Sequence, residues 1–389
     1  MTTLRLVAAA AVSLGLLSTA YGGEQVTCRR ADLLVSLAPH QPASYSVTGE
    51  LCATSRELRR GAAVQLLIHD ATYSREYWDF GRIDGVPRSY ARGAAAAGIA
   101  TFAFDELGAG GSSHPASTLI TVDAAAHVAH QVVQALRHGE IGGTRFRKII
   151  AVGHSLGSVV VWDEAINYAD VDGVIVTATA HSLSTRFQDA EASAFHRAAT
   201  DPRYITTGLD QGYLTMSAAE RARWFSAAFT SADDVREDVV AATELDTARP
   251  FITSAATRAI RVPVLVILGS ADATICGPNV RGQYFDCSNA TAVARQEAPF
   301  YSQAARLHAC VIPDAGHDLN TTLNHELQLA DTVAWSGVFV DRSLLGRRQR
   351  SHGRSGSLQG NEDLPANCGS AKHYDGPSSR YARTSVTTP

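Results

Sequence analysis

The feature that most constrains this chain is an alternation, from about residue 60 onward, between almost wholly apolar strand-like segments and helix-like segments. The segments AAVQLLIHD (62–70), KIIAV (148–152) and VPVLVILG (262–269) carry few polar side chains on either face. A strand of this kind is buried on both sides, as in a parallel sheet covered by helices. The sequence therefore predicts an α/β fold with a mostly parallel sheet.

Further segments extend this pattern along the chain. IATFAFD (99–105), GVIVTAT (173–179) and LHACVIP (307–313) are strand-like, and ADLLVSL with ASYSVTGELCA indicates a leading antiparallel pair. VDAAAHVAHQVVQALRHG (122–139) has apolar side chains three and four residues apart, which is typical of a helix that packs by one face. Strands and helices thus alternate over most of the chain.

The first twenty residues have the pattern of a secretory signal peptide. Arg5 precedes an apolar run from Leu6 to Leu17, and small residues follow at Ser18 and Ala20. We expect 1–20 to be removed and the protein to be secreted; the alternative is a buried helix or a retained anchor. No other stretch has 18 uninterrupted apolar residues, so we expect no stable membrane insertion.

The remainder divides into a core, an insertion and a tail. Between 183 and 250, three helix-like segments follow one another without a strand, which predicts a helical lid over the sheet. The alternative is two ordinary crossover helices and a long loop. The α/β core is then formed by 21–182 and 251–343. Apolar periodicity is lost from Leu344 onward, so 344–389 is predicted to be a disordered tail.

Charge and cysteine content limit the possible partners. The chain has 34 Lys and Arg against 38 Asp and Glu, and this net charge of −4 gives no indication of nucleic-acid binding. Six cysteines behind a signal peptide indicate disulfides, and short spacing favours Cys28–Cys52 and Cys276–Cys287, with buried free thiols as the alternative. No CxxC motif or Cys/His cluster has zinc-site spacing, so neither a metal nor another cofactor is predicted. The oligomeric state is left open.

One short motif carries the chemistry. Gly153-His154-Ser155-Leu156-Gly157 follows a strand-like run and precedes a helix-like run. A turn this tight needs glycine two residues before and after its centre, and it raises the central hydroxyl at a helix start, where developing negative charge is favoured. A bland turn would be the alternative. We interpret Ser155 as a nucleophile.

A serine nucleophile needs a base and an acid that orients the base. His317 follows the last strand in PDAGHDLN and is the predicted base. Asp272, just after VPVLVILG, is the predicted acid; Asp189 is a weaker candidate, and Asp314 and Asp318 lie too close to the histidine in sequence. The chain order Ser155, Asp272, His317 agrees with a nucleophile–acid–histidine architecture.

An acyl reaction also needs N–H donors for the developing oxyanion. The backbone N–H of Leu156 is one predicted donor. The second is predicted at Ala71, in the loop after the first parallel strand, with Asp70 and Thr72 as alternatives. In the same loop, the side chains of His69, Asp70 and Tyr73 are the candidates for contacts with a small-molecule acyl substrate.

These segments together resemble the α/β-hydrolase superfamily. LLIHDATYSREYWDF is similar to its His-Gly oxyanion loop, FAFDELGAGGSS to the segment after the next strand, and VGHSLGS, LGSAD and PDAGHDL to its nucleophile, acid and histidine loops. The combination looks most like secreted esterase-like hydrolases of actinobacteria and fungi. The resemblance implies an eight-stranded sheet with a helical lid and hydrolysis without a cofactor.

One residue departs from the family pattern. The superfamily has glycine after the oxyanion-loop histidine, whereas this chain has Asp70. A carboxylate there would repel a developing oxyanion. The leading hypothesis is a secreted serine hydrolase of a carboxylic ester or lactone. The alternatives are an amidase or peptidase, an acyltransferase or cyclase, or a lyase with the same triad, and a non-catalytic ligand-binding protein.

Overall fold

The computed structural model describes residues 24–83, 85–225, 238–340 and 368. Its main element is an eight-stranded sheet. The described residues also form one three-stranded and two two-stranded sheets. The fifteen strands of the described residues are β1 (Thr27–Val35), β2 (Tyr45–Ala53), β3 (Ala63–Ile68), β4 (Asp79–Ile83), β5 (Val86–Ser89), β6 (Ala100–Phe104), β7 (Lys148–His154), β8 (Gly173–Thr177), β9 (Phe195–Arg197), β10 (Tyr213–Met216), β11 (Val240–Ala241), β12 (Val264–Gly269), β13 (Gly277–Pro278), β14 (Tyr284–Phe285) and β15 (His308–Ile312).

The large sheet has the order β1-β2-β6-β3-β7-β8-β12-β15. The pairs β1–β2 and β2–β6 are antiparallel, and every later pair is parallel. The predicted α/β fold with an eight-stranded, mostly parallel sheet is therefore confirmed. The predicted leading antiparallel pair forms the edge of the sheet.

Helices cover both faces of this sheet. Alternate residues of β3 enter two separate cores: Leu66 and Ile68 pack in one and Leu67 in the other, each with no exposed surface. This two-sided burial explains why the central strands are apolar at nearly every position. The helices of the described residues are α1 (Ser55–Arg60), α2 (Tyr90–Ala96), α3 (Val122–His138), α4 (Leu156–Asn167), α5 (Thr185–Ala194), α6 (Ala218–Trp224), α7 (Ala242–Thr253), α8 (Ala290–Glu297) and α9 (His325–Val340).

The insertion between 183 and 250 contains more than the helices that the sequence predicts. It includes α5, α6 and most of α7, but also a three-stranded antiparallel sheet in the order β11-β10-β9. Its strands are only two to four residues long, which is too short for a periodicity to register in the sequence. Residues 226–237 within this segment lie outside the described residues.

Three disulfides close loops around the core. The two pairs favoured by sequence spacing are bonded, and a third joins strand β15 to the C-terminal segment: Cys28–Cys52, Cys276–Cys287 and Cys310–Cys368. The predicted signal peptide (1–20) lies outside the described residues, as does the predicted tail (344–389) apart from Cys368. Among the described helices, none has the length and apolar character needed to cross a bilayer.

Candidate active site

Ser155 occupies the sharp turn that the sequence predicts. It stands between the end of β7 and the start of α4, with φ 50° and ψ −114°. A Cβ on Gly153 would lie 2.3 Å from the carbonyl oxygen of Gly157, and a Cβ on Gly157 would lie 2.3 Å from the carbonyl oxygen of His69. Both glycines are therefore required by close backbone approach, and the strained φ at Ser155 is held by its surroundings.

The turn brings Ser155 against His317 and Asp272. The distance from Ser155 Oγ to His317 Nε2 is 2.8 Å, and the distance from His317 Nδ1 to Asp272 Oδ2 is also 2.8 Å. Asp272 follows β12 and His317 follows β15, so neighbouring parallel strands deliver both side chains to one edge of the sheet. The predicted nucleophile, acid and base thus form one hydrogen-bonded line.

A residue that the sequence analysis did not identify completes this line. Thr274 donates its hydroxyl to Asp272 Oδ1 at 2.7 Å and its backbone N–H to the same oxygen at 2.9 Å. Its Oγ1 also lies 2.8 Å from His317 Nδ1. The Asp272 carboxylate therefore has partners on both oxygens, and the imidazole ring is held in one orientation.

The carboxylates around His317 change its affinity for protons. Burial alone would lower the pKa of His317, but the charge and hydrogen bond of Asp272 outweigh burial, and the charges of Asp70 and Asp318 add to them. The result is a pKa raised to about 9. The imidazolium form is therefore favoured at neutral pH before substrate binds.

Asp70 occupies the place predicted for the oxyanion. The N–H groups of Ala71 and Leu156, the two predicted donors, point at a single atom, Asp70 Oδ1, at 2.6 and 3.2 Å. Asp70 Oδ2 lies 3.7 Å from His317 Nε2 and has no hydrogen-bond partner among the described residues. The two donors are thus in place, and a carboxylate of the chain itself accepts from both.

The other two candidates for substrate contact lie elsewhere. His69 Nδ1 is 2.9 Å from the carbonyl oxygen of Asp70, and its Nε2 accepts from the N–H of Glu106 at 3.0 Å. Tyr73 donates its hydroxyl to Asp318, and burial raises its pKa well above the usual value. Both side chains are buried and neither lines the pocket described next, whereas Asp70 does.

A pocket opens onto Ser155. Its floor is Asp70, Ser155 and His317. The ion pair Glu191–Arg249, at 2.9 Å, lies among the lining residues. Most of the remaining wall is apolar and comes largely from the insertion and α7: Leu183, Phe187, Phe195, Phe225, Leu245 and Ile252.

Behind the pocket floor lies a second group of buried polar side chains. His154 Nε2 is 3.7 Å from Asp318 Oδ1, and neither atom has a hydrogen-bond partner among the described residues. The His154 ring stacks on Tyr77, with centroids 4.2 Å apart. The guanidinium of Arg221 lies 4.2 Å from the centre of the Tyr73 ring. From the sequence, His154 is named only as a member of the motif around Ser155, and Asp318 only as a rejected acid for His317.

Comparisons with known proteins agree with this architecture. The model of the family described as "Alpha/beta hydrolase family" matches residues 65–332. A thermophilic esterase from Thermogutta terrifontis is 18% identical with a TM-score of 0.50, over 80% of this chain and 100% of that chain. A soluble variant of monoglyceride lipase from Saccharomyces cerevisiae is 12% identical with a TM-score of 0.54, over 79% and 97% of the two chains. At these identities the likeness shows a shared fold. No curated protein matches the sequence.

Proposed function

This chain belongs to the alpha/beta hydrolase family, and on that premise we propose that it is a serine hydrolase of a carboxylic ester or lactone. The proposal is supported by one observation above the others. Ser155 Oγ lies 2.8 Å from His317 Nε2, and Asp272 Oδ2 lies 2.8 Å from the other ring nitrogen, Nδ1. This is the spacing that general-base activation of a hydroxyl requires.

In the proposed reaction, neutral His317 takes the proton of Ser155 as its oxygen attacks the acyl carbon. The tetrahedral intermediate collapses when the imidazolium returns that proton to the leaving alcohol, which leaves an acyl-enzyme. Water, deprotonated by the same imidazole, then attacks the acyl carbon and releases the carboxylic acid. Asp272 keeps the Nδ1–H tautomer and stabilises the imidazolium without taking the proton.

The oxyanion of each intermediate would bind the N–H groups of Leu156 and Ala71. Asp70 Oδ1 accepts from both, so the proposal requires this carboxylate to rotate out of the way when a substrate carbonyl enters. This requirement also supports a second candidate function, a protein that binds a ligand without turnover. A carboxylate that never leaves would compete with every acyl substrate.

The pocket wall favours an apolar acyl or alcohol group. Its aromatic and aliphatic side chains would bury such a group. Burial stabilises the complex by about 25 cal/mol per Å² of apolar surface removed from water. The charged pair Glu191–Arg249 interrupts this apolar wall. We therefore propose a substrate with an apolar body that is larger than an acetyl ester.

We also propose that the protein is exported after removal of 1–20. Six cysteines joined in three disulfides are compatible with an oxidising compartment. Mass spectrometry of the protein from culture medium would give the mature N-terminus. A start near residue 21 supports the proposal, whereas an intact Met1 on protein retained in cells contradicts it.

A fluorophosphonate probe and a series of p-nitrophenyl esters test the reaction. We expect labelling and turnover that are lost in Ser155→Ala and kept in Ser158→Ala, a serine one turn along α4 whose hydroxyl donates to the carbonyl oxygen of Thr177. Turnover should increase from acetyl to medium-chain esters. Labelling that persists in Ser155→Ala would remove Ser155 from its role, and ligand binding with neither labelling nor turnover would favour the second candidate.

A further inference from the structure

Three potential metal-ligand atoms converge beside the nucleophile. One ligand-type atom from each of Asp70, His154 and His317 lies within 4.8 Å of the other two, and all three side chains are at most 3% exposed. Asp70 Oδ2 and His154 Nε2 have no hydrogen-bond partner among the described residues. Buried polar atoms without partners are rare in folded proteins, and such a pair in one place indicates a ligand.

Hydrogen bonds on the far side of each ring fix both imidazoles. The Thr177 hydroxyl donates to the carbonyl oxygen of Gly153 at 2.9 Å, so its oxygen accepts from His154 Nδ1–H at 2.8 Å. His317 Nδ1 donates to Asp272 in the same way. In both rings Nδ1 is engaged as a donor, which leaves Nε2 as the atom for a metal ion, as in metal-binding histidines. His317 Nε2 lies 2.8 Å from Ser155 Oγ, so an ion would have to displace this contact.

The space between these groups has more acceptors than a water molecule can satisfy. The lone pair of His154 Nε2 and the carboxylate oxygens Asp70 Oδ2 and Asp318 Oδ1 are all acceptors without partners among the described residues. One water donates two hydrogen bonds, so it would leave an acceptor unsatisfied. A cation interacts favourably with all of them, because carboxylate and imidazole attract it together.

We propose that a divalent transition-metal ion of the zinc class binds here, with Asp70 Oδ2, His154 Nε2 and His317 Nε2 as ligands. Two imidazoles and one carboxylate are a ligand set that such ions prefer over Mg²⁺ and Ca²⁺. Ligands of a tetrahedral zinc ion lie about 3.3 Å apart. The 3.7 Å between Asp70 Oδ2 and His317 Nε2 is close to this value.

The pocket gives the ion a route to its ligands, since Asp70 and His317 form part of its floor. The ion would also explain why an aspartate replaces the glycine of the family pattern at position 70. A metal-bound Nε2 cannot accept the proton of Ser155, so the ion inhibits the proposed hydrolase. This last consequence rests on the proposed function; binding of the ion does not.

Binding is tested on the whole protein after treatment with a chelator, by calorimetry with ZnCl₂ and by the metal content after dialysis. We expect one zinc per chain, with Ca²⁺ and Mg²⁺ failing to compete. Asp70→Asn and His154→Asn should each weaken binding at least about 100-fold, beyond the loss that follows removal of an outer-shell partner. An asparagine at 154 keeps a donor for Thr177, and melting curves identify a variant that fails to fold.

A matched control comes from a second cluster with ligand-type side chains, His130, Glu164 and Asp170, away from the nucleophile. Both carboxylate oxygens of Glu164 are buried without a partner among the described residues. Glu164→Gln should therefore leave zinc binding unchanged. Loss of binding in Glu164→Gln alone would assign the ion to this other cluster and overturn the proposal. The proposal would also be overturned if the wild-type protein bound no stoichiometric zinc.

The consequence for catalysis is measured separately. Zinc should slow fluorophosphonate labelling of the wild-type protein at least tenfold, a chelator should restore it, and the ratio of rates with and without zinc should approach one in His154→Asn. Ser155→Ala distinguishes the two proposals, because it should bind zinc and take no label. If the wild type binds zinc but takes no label even after chelator treatment, the hydrolase is contradicted and the metal site still stands.

Discussion

Two carboxylates flank His317 and differ in how their oxygens are used. Asp272 accepts three hydrogen bonds on its two oxygens, from Thr274 and from the imidazole. Asp70 accepts two backbone N–H bonds on one oxygen, and its other oxygen has no partner among the described residues. Both carboxylates are almost fully buried.

Asp272 therefore has the contacts of a residue that positions the His317 ring, whereas Asp70 can exchange its partners for a ligand. A fully satisfied buried carboxylate is held rigidly, whereas a partly satisfied one retains a large desolvation penalty that a ligand can relieve. We therefore expect substitutions at Asp272 to abolish ester hydrolysis and substitutions at Asp70 to increase it.

The largest effect is expected at Asp272, because both of its carboxylate oxygens have hydrogen-bond partners. Asp272→Asn should reduce kcat for ester hydrolysis by about 10⁴-fold, because an amide favours the wrong tautomer of the histidine. Steady-state kinetics with a p-nitrophenyl ester would measure the loss, and a melting curve close to that of the wild type would exclude unfolding. A loss below tenfold would assign the orienting role to another acid.

Substitution of Asp70, whose Oδ2 has no partner among the described residues, should increase activity. Asp70→Gly frees the N–H groups of Ala71 and Leu156 for a substrate oxyanion, and a single donor of this kind contributes about 10²- to 10³-fold to kcat. We expect kcat/KM for esters to increase by up to that factor, in chelator-treated protein.

Asp70→Asn distinguishes the effect of occupying the two N–H donors from the effect of the negative charge at position 70. The asparagine oxygen can still accept from both N–H groups, so activity should increase less than in Asp70→Gly if occupancy of the donors limits the reaction. Equal gains in the two variants would indicate that charge alone matters. A loss of activity in both would make Asp70 a participant in the chemistry.

The pH profile compares the two carboxylates through the group between them. With a pKa raised to about 9, His317 becomes neutral only as the pH increases through that range, so kcat/KM should increase toward pH 9 in the presence of a chelator. Asp70→Asn removes one charge that raises this pKa, and the midpoint should move to lower pH. A midpoint that does not move would show that Asp70 does not act on the imidazole.

Stability should follow the opposite course. The charged form of His317 stabilises the folded state fully below the ordinary histidine pKa of 6.5, and this contribution is lost as the pH increases through about 9. Urea unfolding between pH 6 and 10 would measure it. The decrease should be smaller in Asp70→Asn than in the wild type.

The smallest effect is expected for Asp318→Asn. The charge of Asp318 raises the pKa of His317 less than that of Asp70 does. The midpoint of the pH profile should therefore move in the same direction as in Asp70→Asn, but by less. A larger shift than in Asp70→Asn would reverse the assignment of the two carboxylates.

Much of the fold was predictable because its signals are local. Buried strands such as β3 and β12 are apolar on both faces, and the glycines around Ser155 are required by backbone contacts that any such turn contains. The small sheet of the insertion was not predictable, because strands of two to four residues have no measurable periodicity. Tertiary packing places them.

The candidate site divides in the same way. Ser155, Asp272 and His317 each follow a strand of the same sheet, so topology alone brings them together. The place of the Asp70 carboxylate depends on a side-chain rotation, and the convergence of positions 70, 154 and 317 has no spacing rule in the sequence.

The bond between Cys310 and Cys368 gives the chain a covalent loop at its C-terminal end. Strand β15, which contains Cys310, leads directly into the loop of His317. A protease that cuts anywhere within 341–367 would therefore produce two polypeptides that stay on one molecule. They would separate on a gel only after a reductant opens the bridge.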